Sequence, residues 1–515
     1  MEAKLEENRV EETNDPNSSS SSSSSPIQSR KWTQNYSLKN LILEELKLQR
    51  GIILPLIVLY ITWFARITIT TAFLGRLGEL SLAGGTLAVT IANVTGFSVL
   101  NGLSAAMEPI CGQAFGAKNI KLLHKTLVMA IILLLISALP IAFLWLNVDK
   151  ILIQLGQEQD ISMVAKKYLL YLLPDLLIYA FLCPLKAYLS SQSITVPIML
   201  TSGIGLVLHV PFNFLLSRAK GLEGVAMAVW MSDLVIVILL ALYVSIAEFR
   251  NKGNWKEGGW WEQSLPDWVK LLKLSGPCCL TTCLEWWCYE ILFLLAGHLQ
   301  NAKQSLGVLA IVINFDYLLY SVMISLSTCA SVRISNELGA NQAGRAFKSA
   351  YISLGTGIIS GFIGASIMVS ARGIWGHLFS HNRGLITNVK KMLLIMAIVE
   401  VFNFPLSVCG GIVRGTARPQ LGMYANLTGF YLLALPVGVI LAFKLHLGLA
   451  GMLIGFVVGS MSCLILLLVF IMRIDWDEEA SKARIRTSMP EEVDHNDYKD
   501  EKNSVVPNDI KTSSL

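Results

Sequence analysis

Residues 275–296 read SGPCCLTTCLEWWCYEILFLLA, an apolar run long enough to cross a bilayer as a helix, which takes ~20 residues, yet it carries two glutamates. An acidic side chain at the centre of such a helix costs roughly 2.5–3.5 kcal/mol on insertion scales. A carboxyl kept there has a partner, a proton or a task. At ~100° per residue Glu285 and Tyr289 share a helical face, while Glu290 points roughly 140° away, so the two acids do not serve one site by stacking. Gly276-Pro277, about two turns upstream, frees a backbone carbonyl, which a membrane helix tolerates where it lines a cavity. The stretch predicts a membrane helix with a polar pocket at Glu285.

The surrounding chain is of the same kind. Of its 515 residues 53% are hydrophobic and 15% charged, the composition of a polytopic membrane protein. Twelve apolar runs follow one another, near 51–75, 82–110, 124–147, 165–187, 194–217, 222–248, 268–297, 305–331, 346–371, 389–413, 420–443 and 447–472. They predict an all-α protein with twelve transmembrane helices. The net charge of +5 is modest and no basic stripe alternates with exposed aromatics, which excludes nucleic-acid binding as a function class. The nine cysteines fall in or beside apolar runs and read as small buried hydrophobes; Cys278, Cys279 and Cys283 lack the second pair or histidine of a zinc set.

The polar, acidic start MEAKLEENRVEETND is no cleavable signal. With the serine run Ser18–Ser25 it predicts a disordered cytoplasmic tail over 1–50, matched by a second over 473–515. An even number of spans puts both tails on one side. Lys39, Lys47 and Arg50 before the first span and Arg473, Lys482, Arg484 and Arg486 after the last place that side in the cytoplasm. Asn17 and Asn35 stand in glycosylation acceptor triplets that an external tail would expose. A Gly- and Trp-rich linker, 249–267, separates a six-helix lobe over 51–248 from another over 268–472.

The two lobes repeat. Pro55 matches Pro277 and Gly75 matches Gly297 at an offset of 222, Gly116-Ala117 matches Gly339-Ala340 at 223, Pro211 matches Pro436 at 225, and Gly221 matches Gly448 at 227. Six being even, the copies enter the membrane in the same sense, as parallel repeats.

These residues carry a resemblance. LAGGTLAVTIANVTGFSVLNGLSAAMEPICGQAFGAKN, LSSQSITVPIML, CLEWWCYE, SNELGAN and IVRGTARP resemble the plant branch of the multidrug and toxic compound extrusion (MATE) family over about 45–475, nearest the subgroup associated with the response to high carbon dioxide. The resemblance implies two six-helix lobes, alternating access and proton-coupled antiport, with the first Glu of CLEWW, here Glu285, as the principal protonation site. Many plant relatives place an acid eleven residues before the Arg of the RG motif. This chain has Asn403 there, and Glu400 one turn earlier, so either Glu400 takes over as the second coupling acid or the site has one titratable group fewer. Prokaryotic relatives have an aspartate where this chain has Thr70.

Asp316 in INFDYLLY, with Asn314 and Tyr320 beside it, is expected at the substrate cavity, together with Tyr289, Trp286, Asn403 and, in support, Glu290. Glu108 is expected to hold backbone amides or a loop cation, Arg414 and Arg418 to serve topology or anionic headgroups, and Asp175 and Asp233 are secondary candidates. There is no G-x-x-x-x-G-K-[ST] to drive transport by ATP, no nucleophile–base constellation of an enzyme, and no cofactor or metal motif. The expected partners are a small-molecule or ion substrate, protons, the bilayer and cytosolic proteins at the tails; the expected place is the plasma membrane, with the vacuolar or another endomembrane as alternative. The alternative function is a carbon dioxide- or bicarbonate-related sensor and signalling scaffold. An anion conductance is a third reading, to which the acids of the second lobe give little electrostatic help.

Overall fold

The computed structural model describes residues 38–250, 258–260 and 262–488. The chain divides into two compact units, Met1–Leu43 and Glu44–Leu515; the described part of the first is helical, and the packing described below is that of the second. The acceptors Asn17 and Asn35, and most of both tails, lie outside the described residues.

Twelve helices are long and apolar enough to cross a membrane: α1 (Lys39–Arg76), α2 (Glu79–Gly116), α3 (Ile120–Leu146), α4 (Gln159–Ser191), α5 (Val196–Lys220), α6 (Leu222–Arg250), α7 (Leu265–Ala296), α8 (Ala302–Gly339), α9 (Ala343–Leu378), α10 (Arg383–Gly415), α11 (Pro419–Lys444) and α12 (Leu449–Met472). Each falls on one of the twelve apolar runs. No strand occurs among the described residues. α2 is interrupted by a π-helical turn at Asn93–Phe97, and α11 by two more, Leu427–Ala434 and Ile440–Lys444.

Three boundaries need correcting. Residues 38–50, assigned to a tail, continue α1, and Gln49 is buried with its amide donating to Ser353 Oγ at 3.0 Å. Residues 476–487, also assigned to a tail, form α13 (Trp476–Thr487), capped by the Asp475 side chain, which accepts from the amides of Asp477 and Glu478. Glu479 of α13 is wholly buried and paired with Arg418, while Arg486 donates to Gln113 Oε1 at 3.3 Å and Asn119 to Thr487 O at 2.8 Å. Burial pulls the Arg486 guanidinium below its ordinary value, against the raising pull of Glu479. In the linker, Trp260 stacks on His124 with ring centroids 4.0 Å apart, Gly258 O lies 3.1 Å from His124 Nδ1, and 265–267 already belong to α7.

The repeat appears in the backbone itself. Lys118 and Asn341, at an offset of 223, both adopt left-handed φ (58° and 57°), as do Ser193 and Ala417 (63° and 58°) and Gly221 and Gly448 (59° and 55°). Three turns of unusual geometry thus recur in order. The cores follow the same division: one apolar cluster runs from Cys288 to Ala483, while two others are built almost entirely from the first six helices, with Cys329 and Val332 of α8 joining one of them.

The halves touch through matched glycines. A Cβ on Gly116 would stand 2.0 Å from Asn336 O, and one on Gly339 2.1 Å from Gln113 O, so only glycine lets α2 and α8 approach backbone to backbone here. Close by in sequence on α8, Arg333 donates from Nε and Nη2 to both oxygens of Glu45 (3.0 and 2.9 Å) and from Nη2 to Glu337 Oε1 (2.8 Å), with Ser349 also on Glu45 at 2.8 Å. α1 is thereby fastened to α8 and α9.

Candidate functional site

A cavity of about 230 Å³ lies between the halves. α1 contributes Trp63, α2 Glu108, α4 Lys186, α7 Glu285 and Trp286, α8 Tyr320, and α10 Arg414. Aromatic rings from both halves meet across it: Trp63 and Trp286 have centroids 6.4 Å apart, Phe64 and Tyr317 5.8 Å. Trp286 Nε1 donates to Tyr320 Oη at 3.3 Å, which fixes the indole against α8. Trp287 turns the other way and donates to Val94 O of α2 at 3.0 Å.

Glu285 faces this space, half-buried. Its carboxyl has no hydrogen-bond or ion-pair partner among the described residues, and the charges acting on it are Arg414, of opposite sign, and Asp316, of like sign. An intramembrane acid without a fixed partner and open to a cavity is poised to exchange a proton or meet a solute. Arg414 sits on the cavity wall, and not at headgroups as its loop-side position suggested: its Nε lies 3.3 Å from Glu108 Oε2 and its Nη2 donates to Ser327 Oγ at 2.9 Å. Glu108, expected at backbone amides or a loop cation, is the partner of this arginine from the other half. Arg418 is instead held by Glu479.

Of the residues expected at the cavity, Trp286 and Tyr320 line it. The other five do not. Asp316 and Glu400 are side-chain neighbours buried at 2% and 0% exposure behind it, with both Glu400 oxygens and Asp316 Oδ1 lacking a conventional hydrogen-bond partner. Asn403 is engaged by Ser460, whose Oγ donates to its Oδ1 at 2.8 Å. Asn314 turns back on its own helix, donating to Ala310 O at 2.8 Å. Tyr289 packs against Phe456, ring centroids 5.1 Å apart, and the charges of Asp316, Glu400 and Glu285 act on it. Glu290 stands half-buried on another face of α7, as its position five residues beyond Glu285 requires.

In the first six helices a second polar nest surrounds a cavity of about 70 Å³. Arg66 grips Asp233 with two bonds, 2.6 and 2.7 Å, both residues being nearly inaccessible. Thr70, where prokaryotic relatives carry an acid, has its Oγ1 3.0 Å from His209 Nε2, and His209 Nδ1 reaches Ser232 Oγ at 2.9 Å. Asp175 is 1% exposed with one oxygen unpartnered. Arg66 and Lys186 escaped the sequence reading. A cation inside an apolar run is as costly as an acid, and that signal was present in WFARITIT and CPLKAYLS.

The sequence model of the MatE family matches two stretches, residues 55–215 and 277–440, which open on the same Pro55 and Pro277 that anchor the repeat. Protein DETOXIFICATION 56 of Arabidopsis thaliana is 62% identical over 457 residues, spanning 88% of this chain and 93% of that protein. Protein DETOXIFICATION 48 of the same plant is 39% identical over 448 residues, spanning 87% and 84%. Among solved structures, that of the eukaryotic MATE transporter AtDTX14 matches with a TM-score of 0.81 at 30% identity, covering 87% of this chain and 100% of that one. An outward-facing multidrug resistance MATE transporter shares the fold at a TM-score of 0.76 and 15% identity, covering 88% and 100%.

Proposed function

The chain belongs to the MatE family of transporters, and from that premise we propose that it is a proton-coupled antiporter that exports a small organic or inorganic solute from the cytoplasm by alternating access. The observation that carries this reading is the unpartnered Glu285 carboxyl on the wall of a cavity that both halves line. A proton held there neutralises the acid; a solute's positive or hydrogen-bonding group competes for the same oxygens. Behind it, Asp316 and Glu400 stand side by side with no ion pair to a cation among the described residues, which suits a site that holds a proton between two carboxyls. Glu400 then supplies the second acid that Asn403 does not, with Asp316 beside it behind the cavity wall.

The two lobes, 51–248 and 268–472, are the moving parts, parallel copies that rock about the cavity between them. With both tails in the cytoplasm, the end where Gly116, Gly339 and the Glu45–Arg333 pair meet is the cytoplasmic one. The contacts there close that end. Sealing one end while the other is open is what exchange without leakage requires. The signalling-scaffold alternative draws no support from the relatives, whose names speak of detoxification and transport.

The test is flux in proteoliposomes holding the purified chain, under an imposed pH gradient, against organic cations, organic acids, chloride and bicarbonate. At least one solute is expected to accumulate with the gradient and to stop when a protonophore collapses it. Fluxes indifferent to the gradient across the whole panel would remove the antiport reading.

A further inference from the structure

The cavity wall carries four charged side chains, and they do not all pair. Arg414 and Glu108 take each other. What remains is one acid, Glu285 on α7, and one base, Lys186 on α4. Lys186 has no ion pair or hydrogen bond among the described residues; the opposite charge acting on it most is Asp233, and that carboxylate is already gripped with two bonds by Arg66. An ammonium within a membrane helix, half-buried on a cavity wall and without a counter-ion, is as much in need of a task as the acid opposite. Each half therefore presents one uncompensated charge to the shared space, negative from the last six helices and positive from the first six.

We propose that the transported solute is a small aromatic zwitterion, with its acidic group on Lys186 and its basic nitrogen on Glu285. The inference rests on the antiport reading and deepens it. A simple organic cation leaves Lys186 facing like charge, and a simple anion leaves Glu285 doing so; a molecule carrying both groups satisfies both. The ring has its place against Trp63 and Trp286, which meet on the cavity wall from the two halves. The volume, about 230 Å³, lies below the ~300–1,000 Å³ of pockets that take drug-sized ligands, and suits one or two fused rings. The coupling follows from the charges: a proton on Glu285 removes the seat of the basic nitrogen, so proton and solute exclude each other, as antiport requires. A simple anion would be favoured by that same proton, which is the logic of symport.

Three probes with one ring system separate the cases: tryptophan, tryptamine and indole-3-propionate, the zwitterion, the cation and the anion. In proteoliposomes of the full chain under a pH gradient, tryptophan is expected to move at least about tenfold faster than either single-charge analogue, the modest end of what an unmet polar group costs in a fitted site. Lys186→Met should invert the order in favour of tryptamine, and Lys186→Arg should keep tryptophan first. Equal or faster wild-type transport of tryptamine or indole-3-propionate overturns the proposal, as does failure of all three probes to move or a preference unchanged in Lys186→Met. Should Lys186→Met not insert, the wild-type order and the Arg variant decide. The antiport reading fails separately, when no solute of the broader panel responds to the gradient.

Discussion

Glu285→Gln abolishes gradient-driven accumulation in proteoliposomes while leaving insertion and abundance intact. Glutamine keeps the size and much of the hydrogen bonding of glutamate but does not titrate, so the substitution removes the exchangeable proton and little else. No fixed partner is left stranded, because the carboxyl has none among the described residues, and folding is expected to tolerate the change. The loss should reach at least about tenfold, which corresponds to only ~1.4 kcal/mol at the rate-limiting step. Glu290→Gln is the internal control: it alters an acid of the same helix that does not line the cavity, and its flux should stay within about twofold of the parent, a few tenths of a kcal/mol. Gradient-dependent flux surviving in Glu285→Gln would show that the proton is carried elsewhere, first of all by the Asp316 and Glu400 pair.

Arg333→Met loosens the closed end. The guanidinium answers Glu45 and Glu337 at once, with side chains only 13%, 12% and 11% exposed, and its removal leaves two carboxylates of like charge facing each other. Breaking a buried pair in this way costs about 3–5 kcal/mol where burial is complete and somewhat less here. The purified variant should melt several degrees below the parent, and solute should leak through it without a gradient. Adding Glu45→Gln removes one of the stranded charges and should recover part of the loss, a coupling that a double-mutant cycle reads directly. An unchanged melting temperature with tight vesicles would mean that the glycine contact between α2 and α8 closes that end alone.

The twelve spans were legible because each depends on a local property, an apolar run of sufficient length, and the repeat was legible because proline and glycine mark backbone geometry wherever they recur. Residues 38–50 and α13 were not, because their burial is conferred from afar. Glu45 and Gln49 look like surface residues until Arg333, Ser349 and Ser353, roughly 300 positions on, are brought against them. Glu479 likewise looks like a tail acid until Arg418 meets it, although the Asp475 cap with acids in the first turn and arginines in the last was a readable helix signal.

The site divides along the same line. Glu285 stood out by its cost alone, and Trp286 and Tyr320 share the cavity with it. The partnership of Arg414 with Glu108 crosses 306 positions of sequence, and the isolation of Lys186 is a property of its neighbours that its own residue type does not reveal. Asn403 was expected at the cavity from a motif position, but α12 approaches α10 closely enough for Ser460 to take its side chain.

The claim that solute and proton exchange at one cavity is tested most directly by following both in the same vesicles. With a pH-sensitive dye inside, no gradient imposed, and a transported solute added outside, solute entry should be matched by proton exit at a fixed ratio, and both should cease in Glu285→Gln. Solute entry with no change in internal pH would contradict the account.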